Sequence, residues 1–75
     1  MLKKGISRKK RKGKKLAWDY HDHNGKLISN PKIIERCNKL VLPPAWEEVW
    51  ISLDITAHLQ ATGKDVKGRL QYRYH

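Results

Sequence analysis

Apolar and polar positions alternate at the start of the chain's body: Leu16, Trp18 and Tyr20 fall on one side, Ala17 and Asp19 on the other. A period of two predicts a half-buried strand. His21-Asp22-His23 follows, and Asn24-Gly25 supplies the residues that tight hairpin turns favour, so Lys26-Leu27-Ile28 is expected to return as a short second strand. The period then lengthens. Ile33, Cys37 and Leu40 recur at helical spacing, with Ile34 and Val41 on the edge of the same stripe. Ser29-Asn30-Pro31 offers a cap and a proline tolerated in the first turn, and Pro43-Pro44 closes the helix.

Beyond that corner, Ala45 to Glu48 predicts a turn or a single helical turn. Val49-Trp50-Ile51-Ser52-Leu53 is β-branched, aromatic and alternating, which predicts a strand. Asp54 to Ala57 turns the chain, His58 to Thr62 forms a fourth strand, Gly63 to Gly68 a basic connection, and residues 70–75 a fifth strand. No segment repeats. The expected fold class is α+β: a five-stranded, mostly antiparallel sheet with one or two short helices in the order β-β-α-β-β-β, a helix covering one face.

Length and composition narrow the reading. Seventy-five residues allow one domain, and a single Cys excludes an internal disulfide. There is no four-ligand Cys/His set for a structural zinc. No 18-residue apolar run is present, and the basic N-terminus lacks the apolar stretch of a signal peptide. A reducing, intracellular and cytoplasmic location is expected. Residues 1–15 hold nine Lys/Arg and no acid, whereas residues 16–75 carry a net charge of +1. Within the body, residues 64–75 carry +3 and residues 16–63 carry −2. Two positive zones therefore lie at opposite ends of the sequence, and such zones seek polyanions. Residues 1–14 read as a flexible basic arm, and deletion of residues 1–12 should leave the body folded, with a solubilising tail or a nuclear-import signal as other readings.

Catalytic patterns are absent from the sequence: no Ser-His-Asp set, paired carboxylates or phosphate-cradling glycine loop is visible, and no cofactor is expected. His21-Asp22-His23 reads as a solvated turn or half of a metal site. Cys37 reads as a small core residue or a reactive thiol. Trp18, Trp46 and Trp50 lie among apolar neighbours and are expected in the core. Tyr72 and Tyr74, two residues apart, share a face of the last strand, with Arg69, Gln71 and Arg73 beside them. Gln can pair with adenine, Arg with guanine, and Tyr hydroxyls can reach phosphates or base edges. The same strand also reads as an ordinary edge strand with solvated Arg.

Pro43-Pro44-Ala45-Trp46-Glu47-Glu48-Val49-Trp50-Ile51, then His58-Leu59-Gln60-Ala61-Thr62-Gly63-Lys64-Asp65, Lys67-Gly68-Arg69 and Gln71-Tyr72-Arg73-Tyr74-His75, resemble the N-terminal domain of bacterial and poxvirus type IB DNA topoisomerases. The resemblance spans about residues 10–75. It implies a five-stranded antiparallel sheet with short helices that clamps one side of duplex DNA as residues 15–75. It further implies a separate C-terminal catalytic domain, absent from this chain, that cleaves one strand through a tyrosine, so Tyr72 and Tyr74 are not nucleophiles. By that analogy Gln71, Tyr72 and Tyr74 meet the major groove, and Lys67 and Arg69 the backbone. Lys64, Arg73, Lys9, Lys10 and Arg11 complete the expected backbone set. Leu70 departs from the basic residue expected there, and Ala57 from a glycine. The expected partners are duplex DNA and the catalytic domain in cis, with no membrane and a monomeric state. A free-standing small basic RNA- or ribosome-binding protein is the alternative, and a membrane-surface or import module a third class.

Overall fold

A computed structural model of the chain describes residues 5–11, 13 and 17–75. The helix forms where the spacing predicts it: α1 (Pro31–Lys39) is capped by Asn30, whose side chain accepts from the Lys32 amide at 2.9 Å. Cys37 is buried on its apolar face, and Ile33, Ile34 and Leu40 pack against the same core. Around it run five strands, β1 (Gly5–Lys10), β2 (Trp18–His21), β3 (Glu47–Ser52), β4 (Leu59–Lys64) and β5 (Leu70–Tyr74). They form one antiparallel sheet in the order β2-β1-β3-β4-β5. Among the described residues, five antiparallel strands and one short helix make the fold α+β.

The first strand overturns an expectation. Gly5–Lys10 is an interior strand, paired with β2 on one side and β3 on the other, not part of a free arm. Ile6 is 1% exposed and stands opposite Ile51, which is 0% exposed. The run of cations hid an alternation in which Arg8 occupies the next inward position. Its guanidinium lies 3.9 Å from the Trp18 ring centroid and donates to Leu42 O, Pro43 O and Trp46 O at 3.2, 2.9 and 3.2 Å. Burial lowers the Arg8 pKa; three carbonyls and an aromatic face replace the water lost by its terminal nitrogens, while Nε is buried without a hydrogen-bond partner among the described residues. The remainder of the expected arm, residues 1–4, 12 and 14, lies outside the described residues, as does Leu16.

The first two strands therefore fall on residues other than those the sequence predicts. Lys26–Ile28 does not form a strand of the sheet. Only an isolated bridge joins His21 to Leu27, because the chain must enter the helix cap within three residues of Leu27. Ile28 still donates to Tyr20 O at 2.8 Å and packs on the core.

Registers assign each side chain to a face. Ile6, Ile51, Ala61 and Arg73 form one row across β1, β3, β4 and β5, and this row faces α1, where Arg73 Nη1 donates to Leu40 O at 2.6 Å. Tyr20, buried beside Arg8, donates to Asn38 Oδ1 at 2.9 Å. The alternate row, His21-Ser7-Trp50-Thr62-Tyr72, crosses all five strands on the opposite face. Among the described residues no element covers that face. Trp46 and Trp50 thus separate: Trp46 packs against the helix-side core, whereas Trp50, expected in that core, lies on the uncovered face. Each indole sits where a neighbouring strand has glycine. A Cβ at Gly63 would lie 2.6 Å from Trp46 Cε3, and one at Gly5 would collide with Trp50 Nε1.

Polar groups bind the helix to the sheet. Gln60, 4% exposed, donates to Ala57 O at 2.6 Å and to Ile55 O at 3.3 Å, which fixes the turn before β4. Its Oε1 accepts from Arg36 at 2.7 Å, and Arg36 also reaches Ser52 O. A buried amide satisfied in this way is a requirement of the fold. Val41 ends the helix with φ +48, a left-handed conformation unfavourable for a β-branched residue, while its side chain is 75% exposed.

Two stability outcomes follow. Removing residues 1–10 takes out the strand between β2 and β3 and should abolish the dispersed amide NMR spectrum. Ile6→Ala alone should cost about 2–5 kcal/mol in chemical denaturation, and a variant as stable as the parent would return Ile6 to the surface. Val41→Gly should stabilise by about 1 kcal/mol, because it relieves left-handed strain with little loss of burial. A melting temperature at or below the parent's would count against that account.

Candidate nucleic-acid interface

Antiparallel pairing brings the two positive zones of the sequence together. Gly5 faces Ser52 and Ser7 faces Trp50, so β1 carries Lys9 and Lys10 toward the Glu47 end of β3. Glu47 stands opposite Lys64, and Lys64 opposite Leu70, so the β4–β5 connection reaches the same end of the sheet. The two flanking strands lie about 10 Å apart, two strand spacings. Lys9 and Lys67, 58 positions apart in the sequence, share one rim.

The β4–β5 tip is built by one carboxylate. Asp65 Oδ1 accepts from the amides of Lys67 and Arg69 at 2.9 and 3.0 Å, and Oδ2 from Arg69 Nε and Gln71 Nε2 at 3.0 Å each. Gly68, at φ +77, closes the turn by donating to Asp65 O at 2.9 Å. The same device recurs at Asp22-His23-Asn24-Gly25-Lys26, where Asp22 Oδ1 accepts from the Asn24 and Lys26 amides at 2.8 and 3.0 Å. His21 thus ends β2, and Asp22-His23 belong to the turn. Among the described residues, no cluster of three or more His, Cys, Asp or Glu could hold a metal ion.

The expected contact residues divide by face. Tyr72 and Tyr74 stand on the uncovered face, 50% and 53% exposed, with ring centroids 6.1 Å apart and planes inclined by 19°. His58 extends this row, its ring 5.0 Å from Tyr74. Gln71 and Arg73 alternate to the helix side, Gln71 held by Asp65 and Arg73 by Leu40 O. On the cationic rim, Arg11 pairs with Asp19 at 2.8 Å, Lys64 with Glu48 at 2.8 Å, and Arg69 with Asp65. The hydrogen bond and charge of Glu48 raise the Lys64 pKa. Lys9, Lys10 and Lys67 make no ion pair among the described residues and are exposed. Sequence reasoning missed Asp65 as the organiser of the tip. The signal was present in the twice-used spacing Asp-x-x-Gly-basic.

Four donors hold the Asp65 carboxyl below the usual aspartate range; the Arg69 amide leads, followed by the Lys67 amide and the side chains of Arg69 and Gln71. A folded pKa below the unfolded one contributes stability that is complete above the ordinary value, about 3.9, and is lost as pH falls through the depressed folded value. The Lys67 and Arg69 amides should therefore stay protected from exchange at pH 5–7 and lose protection only below the ordinary aspartate range. Loss of protection near pH 5 would contradict the tip geometry.

Comparison with known proteins gives the fold its relatives. A family profile described as the N-terminal domain of bacterial DNA topoisomerase IB matches residues 17–65. The DNA topoisomerase 1B of Acanthamoeba polyphaga mimivirus is 47% identical over 74 residues, which cover 99% of this chain. The chain spans 21% of that relative's length. No solved structure matches the chain. With the profile covering well over half of its residues, the chain belongs to the family of bacterial DNA topoisomerase IB N-terminal domains.

Proposed function

We propose that this chain is a non-catalytic duplex-DNA-binding domain that clamps DNA with the uncovered face of its sheet and the tip of the β4–β5 hairpin. The observation that carries this reading is the meeting of two basic segments at one rim, from which exposed Tyr72 and then Tyr74 run along β5 toward its far end. Lys9, Lys10 and Lys67 supply phosphate contacts without first breaking an ion pair, which favours fast, sequence-independent attachment. Arg11, Lys64 and Arg69 add to the field while paired, and exchange those partners when a phosphate approaches. Arg73 points to the helix side, and it reaches a duplex phosphate on the uncovered face only by leaving Leu40 O.

Tyr72 and Tyr74 present hydroxyls and ring edges to the major groove. Gln71, second residue of β5, points to the helix side and not to the face of Tyr72 and Tyr74, so it meets a base only where DNA reaches round the hairpin tip. One of its amide protons is taken by Asp65, which leaves the other and Oε1 for an adenine edge. Strand cleavage, in this reading, belongs to a tyrosine in a C-terminal domain of the parent topoisomerase, joined in cis. The domain acts as a monomer on intracellular DNA.

Binding titrations on a preferred and a scrambled duplex at two salt concentrations test the assignment. Tyr72→Phe should leave the domain folded and weaken binding by about 1–2 kcal/mol. Gln71→Ala should cost about 1–3 kcal/mol on the preferred duplex and much less on the scrambled one. Lys67→Ala should weaken both alike and reduce the salt slope by about one. Equal losses on both duplexes for Gln71→Ala would show a grip without reading. Unchanged affinity for all three variants, or a preference for structured RNA, would overturn the proposal.

A further inference from the structure

The helix side of the sheet carries a second basic feature. Lys32, Glu35, Arg36 and Lys39 recur at i, i+3, i+4 and i+7, so α1 presents one charged stripe. With Arg73 and Tyr74 they line a cleft of about 570 Å³ between α1 and the end of β5. Two guanidiniums enter it at fixed positions. Arg36 is held by Ser52 O at 2.5 Å and Gln60 Oε1 at 2.7 Å, and Arg73 by Leu40 O at 2.6 Å. Each keeps further N–H groups, since a guanidinium carries five donors.

The charges in this cleft are not balanced. Glu35 is the acidic side chain among the described residues that line it, and it pairs with Lys39 at 3.0 Å; the terminal carboxylate of His75, also in the lining, is the second anion in the 75-residue chain. Lys32, Arg36 and Arg73 form no salt bridge among the described residues. Three positive charges thus face one concave space whose wall also includes the apolar Leu40 and Ile55. Carbonyl-anchored guanidiniums lose little freedom on binding, and their planar forks match phosphate oxygens. The volume lies within the usual range of small-molecule sites.

We infer that this cleft is a binding site for a phosphate-bearing ligand with two or more negative charges. Arg36, Arg73 and Lys32 take the phosphate, and Leu40 and Ile55 receive any apolar body. The site adjoins the proposed reading surface only at Tyr74, which lines both; Arg73 and Tyr72 alternate to opposite faces of β5.

The test is an NMR titration of the 75-residue chain with inorganic pyrophosphate at constant ionic strength. Saturable shifts are expected at the Lys32, Arg36, Lys39 and Arg73 amides, with a Kd of about 1 mM or below. Lys32→Glu, at an exposed position, should weaken binding roughly 5- to 10-fold, and Glu35→Gln should strengthen it, as removal of one acid from a cationic site requires. A thermal melt checks that both variants fold. Adenosine diphosphate and a short duplex then separate the sources of phosphate. Tighter binding of the diphosphate, undisturbed by the duplex, marks a free small molecule. Displacement of pyrophosphate by the duplex, with shifts at the same amides, marks the nucleic-acid backbone. Non-saturating shifts, shifts centred on Lys9 and Lys67, or an unchanged response in Lys32→Glu would overturn the site. A duplex that fails to bind at all would sink the reading of the uncovered face and leave the pyrophosphate result standing.

Discussion

The fold depends on a charged group placed where an apolar one is expected. Arg8 stands at an inward position of an interior strand, and its guanidinium must find partners for the water it gives up. Its two terminal nitrogens find them in three carbonyls of residues 42–46 and the group lies over the face of Trp18, while Nε has no hydrogen-bond partner among the described residues. That set ties three parts of the chain to β1: the proline corner, the approach to β3, and β2. Ile6, two residues earlier, supplies the apolar half of the same strand. A neutral residue of equal length would leave those carbonyls unsatisfied, and a shorter cation would not reach them.

This is also where the sequence was hardest to read. Periodicity finds strands through their apolar members, and β1 has one such member, Ile6, in a run of Ser, Arg and Lys. Charge density then argues for solvent, and the argument fails because an arginine stem can be packed while its head is satisfied. The helix, by contrast, was legible from Asn30 and Pro31 through Cys37, since cap, period and proline stop agree there. β3, β4 and β5 were found to within two residues at each end, their β-branched and aromatic content agreeing with their pairing. The second expected strand failed for want of length between the Asp22 turn and the helix cap.

At the candidate site, the exposure of Tyr72 and Tyr74 on one face followed from a period of two. What the sequence could not show was the company of their neighbours. Gln71 and Arg73 alternate to the helix side, and the contacts that hold them come from Asp65 in the hairpin tip and from the last turn of α1. Only the register reveals that Lys9 and Lys67, remote in sequence, share a rim. The family membership agrees with this architecture and leaves the division of labour between the two faces to be read from side chains.

The Asp65 turn separates shape from content. Its geometry is set by Asp65, Gly68 and backbone amides, while Val66 is 82% exposed and Lys67 contributes only its amide to the turn. Residues 66 and 67 can therefore be exchanged without refolding the hairpin, as the different residues His23 and Asn24 in the Asp22 turn illustrate. A lineage can retune what the tip touches by two substitutions and keep the scaffold that aims it.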